Sequence, residues 1–272
     1  MIPRASITAW RRIAPWPENT QVEQDLVLSR ALVAMFGHPR VAEQAVFRGG
    51  TALHKLYFDS PGRYSEDIDL VQRDSGRIGP LVNAIREVLD PWLGKPKWKQ
   101  GQGRFTLYYR FETTFVPVVP VRLKVEINTR EHFSVLALER LPYSVTNPWF
   151  SGQTVVLTYK MAELLGTKLR ALYQRKRGRD LFDLWLALSE GMVDQDQVLR
   201  CFGEYMTFGG ATATRAQFEE NMAAKLRDAV FVADTGPLLR PGLEYDVDAA
   251  WRRVHERLVG RLPGDPWKGG PA

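Results

Sequence analysis

The sequence predicts an α/β fold with a mixed sheet in its first part, followed by a mainly helical second part. Up to about residue 128, short runs rich in β-branched and aromatic residues alternate with helical patterns, which is typical of strands and helices packed in layers. From Tyr159 onward the apolar residues recur mostly at helical spacing. The change falls between Pro148 and Thr158, so we expect an α/β domain over residues 1–150 and a helical domain over residues 151–272.

The first part begins with a helix, which Gly37-His38-Pro39 closes, and continues as strand, glycine turn and helix. A second strand and helix and two further strands follow. The predicted helices are Val22–Phe36, Thr51–Tyr57 and Ile78–Leu93, and the predicted strands are Ala45–Arg48, Ile68–Val71, Phe105–Phe111 and Val121–Asn128. In the second part, the predicted helices are Tyr159–Gln174, Asp180–Ser189, Gln195–Tyr205, Arg215–Asp228 and Ala249–Leu258.

The composition is that of an ordinary globular protein and excludes several classes. Its 272 residues, 44% of them hydrophobic, suffice for a sizeable core. No run approaches the roughly 18 apolar residues of a membrane span, and the first residues lack the apolar region of a signal peptide. The single cysteine, Cys201, excludes an internal disulfide, so we expect a reducing cytoplasm and no membrane. One cysteine and four scattered histidines make no zinc cluster, which leaves a hard cation, Mg²⁺ or Mn²⁺, held by carboxylates.

Two acidic residues on one strand are the first candidate site. Asp67 and Asp69 flank Ile68, and because side chains alternate along a strand, both carboxylates point the same way. A divalent cation would relieve their repulsion. Upstream, Gly49-Gly50-Thr51 joins a strand to a helix, where backbone N–H groups can bind phosphate. The alternatives are a surface Asp-x-Asp and a plain glycine connection in which Thr51 is the N-cap of the helix.

Two further residues extend this predicted metal and triphosphate site. Arg63 precedes the acidic pair and could contact a phosphate or pair with a carboxylate. Glu126 lies on the polar face of the strand Val121–Asn128, and it is the best candidate for the third carboxylate that nucleotidyl transfer requires. The alternative is an exposed strand face on which Lys124 and Glu126 find cross-strand partners.

Lys168 is the most informative residue of the second part. It interrupts the apolar stripe of its helix, formed by Met161, Leu164, Leu165 and Leu172. A lysine in such a stripe needs an anion, which a triphosphate would supply, unless its side chain snorkels to the surface. Arg175 follows one heptad later on the same line.

The densest basic stretch of the chain surrounds these two residues. Between Lys168 and Arg179 there are six cationic and no acidic side chains. With a net charge of +6, this stretch favours a polyanionic partner, although solvated charge runs are common. The next helix starts near Asp180, which is typical of an N-cap, with Asp183 as its capping-box-like partner.

The chain resembles the AbiEii/AbiGii toxin family, the MenT-like minimal nucleotidyltransferases of bacterial toxin–antitoxin systems. The resemblance spans about residues 20–190. Its most specific motifs are Gly49-Gly50-Thr51-Ala52-Leu53 and Ser65-Glu66-Asp67-Ile68-Asp69-Leu70, and the weaker ones are Lys124-Val125-Glu126-Ile127 and Lys168 through Arg175 to Asp183. The chain departs from the wider superfamily in having Gly-Thr where Gly-Ser is frequent, and in a longer spacer before the acidic pair.

The resemblance implies a polymerase-beta-like nucleotidyltransferase fold for the first domain and assigns roles to the motif residues. The residues with an implied catalytic role are Asp67, Asp69, Lys168 and Asp180. Those implied to bind the nucleotide are Gly49, Gly50, Thr51, Arg63, Ser65, Lys168, Arg175 and Asp183. Those expected to bind Mg²⁺ are Asp67, Asp69 and Glu126.

The implied activity is a Mg²⁺-dependent transfer of NMP from an NTP to an RNA acceptor, most plainly the 3′ end of a tRNA, which would inhibit translation. A cognate antitoxin protein is the implied partner. Two alternatives remain open at this stage. One is AMPylation or phosphorylation of a protein, and the other is a non-catalytic NTP- or RNA-binding module. The acceptor distinguishes them, and the sequence does not identify it.

Overall fold

The computed structural model describes residues 2–191 and 193–269. It divides into two compact units, of which the first ends at Tyr159 and the second begins at Lys160. The first unit therefore continues past the boundary expected at residue 150, because the strand that starts there is hydrogen-bonded into the sheet. No helix within the described ranges is long and apolar enough to cross a membrane.

The first unit contains a sheet and five helices in its described part. The helices are α1 (Arg4–Trp10), α2 (Asn19–Phe36), α3 (Pro39–Gln44), α4 (Gly49–Leu56) and α5 (Gly79–Leu93). The strands are β1 (Ala45–Arg48), β2 (Asp67–Gln72), β3 (Lys97–Gly101), β4 (Arg104–Glu112), β5 (Pro120–Asn128), β6 (Glu139–Asn147) and β7 (Phe150–Thr158). Helix α2 packs against both β5 and β7.

The seven strands form one mixed sheet in the order β3-β4-β5-β2-β1-β7-β6. Strand β2 lies near its middle, antiparallel to β1 and parallel to β5. Along β5, Leu123, Val125 and Ile127 are buried on one face, while the residues between them lie on the other. Because side chains alternate, one face of this part of the sheet forms the core and the opposite face is polar.

A buried carboxylate fastens α4 to the rest of the first unit. Asp25 on α2 accepts hydrogen bonds from the indole nitrogens of Trp10 and Trp16, at 2.8 and 3.1 Å. The ammonium of Lys55, on α4, donates to the same carboxylate at 2.7 Å. A buried charge is stable only when it is paired and hydrogen-bonded, and these three donors satisfy both conditions. The contact of Lys55 with Asp25 therefore holds the C-terminal end of α4, the helix that follows the glycine turn.

The described part of the second unit is helical. Its α-helices are α6 (Met161–Gln174), α7 (Gly178–Ser189), α8 (Gln195–Phe208), α9 (Arg215–Leu226), α10 (Ala229–Ala233) and α11 (Val247–Arg257). Short 3₁₀ segments cover Gly236–Leu238 and Val259–Arg261. The core consists mainly of aliphatic and aromatic side chains from α6, α7, α8, α9 and α11.

The α/β class with a mixed sheet and a mainly helical second part is confirmed. Each predicted helix and strand is present, with ends shifted by a few residues at most. The sequence patterns missed α1, α3, α10 and three strands. Strand β3 is exposed throughout, so it shows no alternation of burial, and β6 is an edge strand containing Pro142, which a sheet tolerates only at such an edge.

Candidate active site

The turn between β1 and α4 requires glycine for two reasons. Gly49 has φ of 84°, in the left-handed region that favours glycine. A Cβ atom built on Gly49 would lie 2.5 Å from Oδ2 of Asp69, so any side chain there would displace the carboxylate. The backbone of the glycine turn therefore packs directly against the carboxylate of Asp69 on β2, with no space for another side chain between them.

Thr51 and Ser65 fasten this turn to the start of β2. The Thr51 hydroxyl donates to the backbone carbonyl of Asp67 at 2.6 Å, and its oxygen lies 2.8 Å from that of Ser65. Thr51 is only 1% exposed. The interpretation of Thr51 as the N-cap of the helix is wrong, because α4 begins at Gly49 and Arg48 occupies the cap.

The three carboxylates of the predicted site lie on the polar face of the sheet. In the register of β2 and β5, Asp67 stands beside Lys124 and Asp69 beside Glu126. The Lys124 ammonium lies 2.9 Å from Oδ2 of Asp67 and 3.2 Å from Oε2 of Glu126. Burial alone would lower the pKa of Lys124, but its hydrogen bond to Asp67 and the surrounding acids raise it well above its usual value. The lysine is thus a fixed positive charge between two acids.

The environment of Asp69 disfavours the ionised form of its carboxyl group. Burial raises the pKa of its carboxyl group, and the negative charge of Asp67 raises it further, while Arg48 and Lys124 act in the opposite direction. Arg48 is Asp69's partner in the β1–β2 register and forms an ion pair with Glu131. The ionised form of Asp69 therefore lacks full compensation within the protein.

The donor chemistry of Asp67 and Asp69 fits a hard divalent cation. Their carboxylates share one face and repel each other, and oxygen ligands are those that Mg²⁺ and Mn²⁺ prefer. Residues 2–191 and 193–269 contain no preformed group of three or more Asp, Glu, His or Cys side chains with metal-site geometry. Glu126 lies 3.6 Å from Arg104 on β4, and Lys124 pairs with Asp67 on β2, as expected from the alternative of cross-strand partners. Glu126 also contacts Lys124 on its own strand. Its role as a third metal ligand stays a prediction.

Arg63 lies inside the first unit. It is buried and donates a hydrogen bond to the carbonyl oxygen of Tyr64 at 3.0 Å. Sequence patterns indicated no role for Arg48, and they indicated Lys124 only as a residue that could find a cross-strand partner. Alternation along β5 places Lys124 on the same face as Glu126, so the sequence could have indicated Lys124 as a residue of the site. The pairing of Arg48 with Asp69 depends on strand register, which the sequence does not show.

In the second unit, Lys168 is buried and two carboxylates surround its ammonium. Its Nζ lies 3.1 Å from Oδ1 of Asp180 and 2.8 Å from Oδ2 of Asp183, and both acids, on α7, are fully buried. The prediction that Lys168 interrupts a buried stripe and needs an anion is met within the unit, since these two acids supply the negative charge.

Arg175 completes this buried ion cluster. Its guanidinium donates two hydrogen bonds to Asp180, at 2.6 and 2.7 Å, while about half of the arginine side chain stays exposed. Burial would raise the pKa of Asp180, but the charge of Lys168 and the hydrogen bonds from Arg175 outweigh it and hold that pKa below its usual value. The structure thus brings together Lys168, Arg175, Asp180 and Asp183, as one group.

The interpretation of Asp180 as an N-cap, with Asp183 as its capping-box-like partner, is wrong. Helix α7 begins at Gly178, with Arg177 at the cap, so Asp180 is the third helical residue. In the sequence, Gly178 is typical of a break between two helices, but in the structure it is the first residue of α7. A Cβ atom there would come within 2.3 Å of the carbonyl oxygen of Phe231, so this glycine permits close packing against α10.

Comparison with known proteins places this geometry in context. A family model described as "Nucleotidyl transferase AbiEii toxin, Type IV TA system" matches residues 30–253. MenT4, a nucleotidyltransferase toxin from Mycobacterium tuberculosis H37Rv, aligns with a TM-score of 0.68 at 21% identity, covering 97% of this chain and 91% of MenT4. JHP933 from Helicobacter pylori aligns with a TM-score of 0.53 at 17% identity, covering 88% of this chain and 90% of JHP933. No curated protein matches significantly. At these identities, the two structures show a shared fold.

Proposed function

The chain belongs to the AbiEii family of nucleotidyl transferase toxins of type IV toxin–antitoxin systems, and from this premise we propose that it moves a nucleoside monophosphate from an NTP to the 3′ hydroxyl of a tRNA. Membership of the family implies a nucleotide substrate and a cognate antitoxin. A tRNA acceptor is what the resemblance to MenT-like toxins implies, and the net charge of +6 suits a polyanion. The reaction would take place in the cytoplasm and would block aminoacylation.

One observation carries the proposal, the contact between the glycine turn and the acidic strand. Gly49 leaves room for Asp69 directly at the start of α4, where the free N–H groups of the first helical turn favour phosphate. Asp67 lies on the same face of β2. A triphosphate bound at this turn would therefore lie beside two carboxylates that suit its divalent cation.

The proposed reaction is a displacement at the α-phosphorus. The acceptor hydroxyl forms a new P–O ester bond, the bond from the α-phosphorus to the oxygen that bridges to the β-phosphate breaks, and pyrophosphate leaves. A Mg²⁺ held by Asp67 and Asp69 would neutralise the charge of the triphosphate. Glu126 is our candidate to accept the proton of the attacking hydroxyl, and Lys124 holds Glu126 and Asp67 at a fixed spacing.

We assign the remaining predicted site residues by what they contact. Thr51 and Ser65 support the turn through their mutual hydrogen bond, and the buried Arg63 supports the segment that leads into β2. In the second unit, Arg175 keeps about half of its side chain exposed while it binds Asp180, and it is our candidate for a phosphate contact there. The other members of its cluster, Lys168, Asp180 and Asp183, would orient Arg175, and the resemblance additionally implies a catalytic role for Lys168 and Asp180.

The test is transfer of label from each of the four α-³²P-labelled NTPs to bulk bacterial tRNA, with and without Mg²⁺. We expect one or more NTPs to label the tRNA 3′ end, and Asp67→Asn to abolish labelling. Asp74→Asn, which changes an exposed acid just beyond β2, is the matched control and should retain activity.

Other outcomes would favour the alternatives. Label found on protein instead of RNA would indicate AMPylation or another NMP transfer to protein. Phosphorylation transfers the γ-phosphate, so it would appear only as protein labelling from γ-³²P-labelled NTPs. Nucleotide binding without any transfer would indicate a non-catalytic module. An Asp67→Asn variant with wild-type activity would remove Asp67 from the metal site.

A further inference from the structure

The polar face of the sheet extends from the acids of β2 to a basic edge. Residues that stand opposite each other in the strand register share a face, so rows of side chains can be followed across β2, β5, β4 and β3. The two rows that start at the site acids are Asp67, Lys124, Tyr108, Lys97 and Asp69, Glu126, Thr106, Lys99. Each row begins at a carboxylate and ends at an exposed lysine on the edge strand. Three strand spacings of about 4.8 Å separate these ends by about 14 Å, which a few nucleotides of single strand can span.

Some cations of this face have no acidic partner among the described residues, whereas Lys124 and Arg104 on the same face pair with the site acids. We define the basic strip as Lys97, Lys99, Tyr108, Arg110 and Arg122. Within the residues that the structure describes, no carboxylate lies within ion-pair distance of its lysines and arginines. Lys97, Lys99, Arg110 and Arg122 are all exposed. A polyanion could therefore bind them without displacing any existing ion pair.

A like-charge pair within the strip also indicates an anionic ligand. Arg110 on β4 and Arg122 on β5 stand directly opposite each other. Like charges in that position destabilise a sheet, and an anion between them would remove the repulsion. Arg122 also lies over the ring of the half-buried Tyr108, 5.6 Å from its centroid. An aromatic ring among cations is the combination on which single-stranded nucleic acids bind, with bases stacking and phosphates pairing.

The basic stretch of the second unit is different, because most of its cations already pair with acids. Arg175 binds Asp180, Lys176 lies 2.7 Å from Asp228, and Arg177 and Arg179 lie 3.5 and 3.8 Å from Asp234. An RNA phosphate would have to compete with these carboxylates. The expectation that this stretch binds a polyanionic partner therefore has less support from the ion pairs than a role for the basic strip.

We propose that the basic strip binds the phosphate backbone of the acceptor RNA and leads its 3′ end along the sheet to Asp67 and Asp69. This inference rests on the proposed function, in which the acceptor is RNA. The strip shares one face with the acids, its cations have no acidic partners among the described residues, and the row through the half-buried Tyr108 connects the two. Thr106 in the other row is buried. Its contribution is electrostatic and independent of sequence, since it contains no group placed to identify a particular base.

The test compares two triple variants that change the net charge equally. The strip variant is Lys97→Gln, Lys99→Gln and Arg110→Gln. The control variant replaces exposed arginines outside the strip, Arg12→Gln, Arg40→Gln and Arg77→Gln. Both have a net charge of +3, from +6 less three. All six side chains are exposed, and matching thermal unfolding curves would establish that the variants fold.

The measurements are the salt dependence of binding to bulk bacterial tRNA and the steady-state kinetics of labelling. Loss of three phosphate contacts should reduce the slope of log K against log salt by about 2 to 3. For the strip variant, we expect the KM for tRNA to rise at least tenfold, with the KM for NTP and kcat at saturating tRNA within twofold of wild type. The control variant should match wild type. In wild-type protein, tRNA should protect Lys97 and Lys99 from acetylation.

The outcomes separate this inference from the proposed function. If wild-type protein labels tRNA, and the strip variant keeps the wild-type KM and salt slope, the strip inference is overturned while the proposed function stands. An equal rise in KM for both triple variants would also overturn it, because net charge alone would explain the effect. If wild-type protein labels another protein and no RNA, both proposals fail.

Discussion

Removal of the ammonium group of Lys168 tests whether charge holds the buried ion cluster of the second unit together. Lys168→Met keeps most of the side-chain volume and takes away a cation that lies 3.1 Å from Asp180 and 2.8 Å from Asp183. At an effective dielectric constant of 20, two unit charges about 3 Å apart attract by about 5 kcal/mol, and the hydration that each charge loses on burial offsets a large part of this. Removal of one partner from a buried ion pair typically destabilises a protein by about 3–5 kcal/mol, which is the loss of unfolding free energy that we expect.

Urea denaturation at pH 7 measures this loss. With an m-value of about 2 kcal/mol/M, the midpoint should fall by about 1.5–2.5 M. Lys160→Met is the matched control, because Lys160 is exposed at the N-cap of the same helix, and it should change the free energy of unfolding by less than about 0.5 kcal/mol.

A second substitution identifies the cause. Lys168→Met with Asp183→Asn removes one cation and one anion together, so it should recover at least about 1 kcal/mol relative to the sum of the single changes. A loss below about 1 kcal/mol for Lys168→Met, or single changes that simply add, would refute the reasoning that the ammonium neutralises these acids.

Three more predictions concern other charged side chains. Asp69→Asn should abolish transfer. It should also raise the free energy of unfolding of the metal-free protein by about 0.5–2 kcal/mol, because burial and Asp67 oppose ionisation of Asp69. A lower free energy of unfolding in urea would contradict this. Glu219→Gln should lose about 1 kcal/mol at pH 7 in thermal unfolding. Hydrogen bonds lower the pKa of Glu219 from 4.5 to about 2, so this difference should disappear as pH falls between those values, and a constant difference would argue against it. Burial lowers the pKa of Lys225 from 10.5 to about 8, so wild-type stability should rise between pH 8 and 10.5 relative to Lys225→Met, and parallel pH profiles would count against that pKa.

The sequence predicted what depends on local patterns and missed what depends on pairing. Alternation along β2 and β5 predicted that Asp67, Asp69 and Glu126 share a face, and the register agrees. The position of Lys124 between two acids follows from which strands are neighbours, and β2 and β5 are far apart in the chain. For the same reason, alternation predicted a polar face but could not extend it to Lys97, because β3 was not recognised as a strand.

Helix ends and buried charges caused the other differences. The acids Asp180 and Asp183 near a predicted helix start match the pattern of caps, and nothing local distinguishes a cap from a buried ion cluster. The difference arises from Lys168, twelve residues before Asp180, which approaches it only after two helices have packed together. Lys168 was predicted to interrupt the apolar stripe of its helix, with snorkelling to the surface as the alternative, and the structure shows it buried.

The central position of β2 has a consequence for the time at which the protein can become toxic during its synthesis. The strand is bonded on one side to β1, made just before it, and on the other to β5, which begins only at Pro120. Before β5 has emerged from the ribosome, the glycine turn and both aspartates of a nascent chain lie on a ribbon of two strands, β1 and β2. Such a ribbon is only marginally stable in water. The acids are held in place only after Lys124 and Glu126 arrive. Prematurely terminated chains that end before residue 120 should therefore be harmless to the cell that makes them.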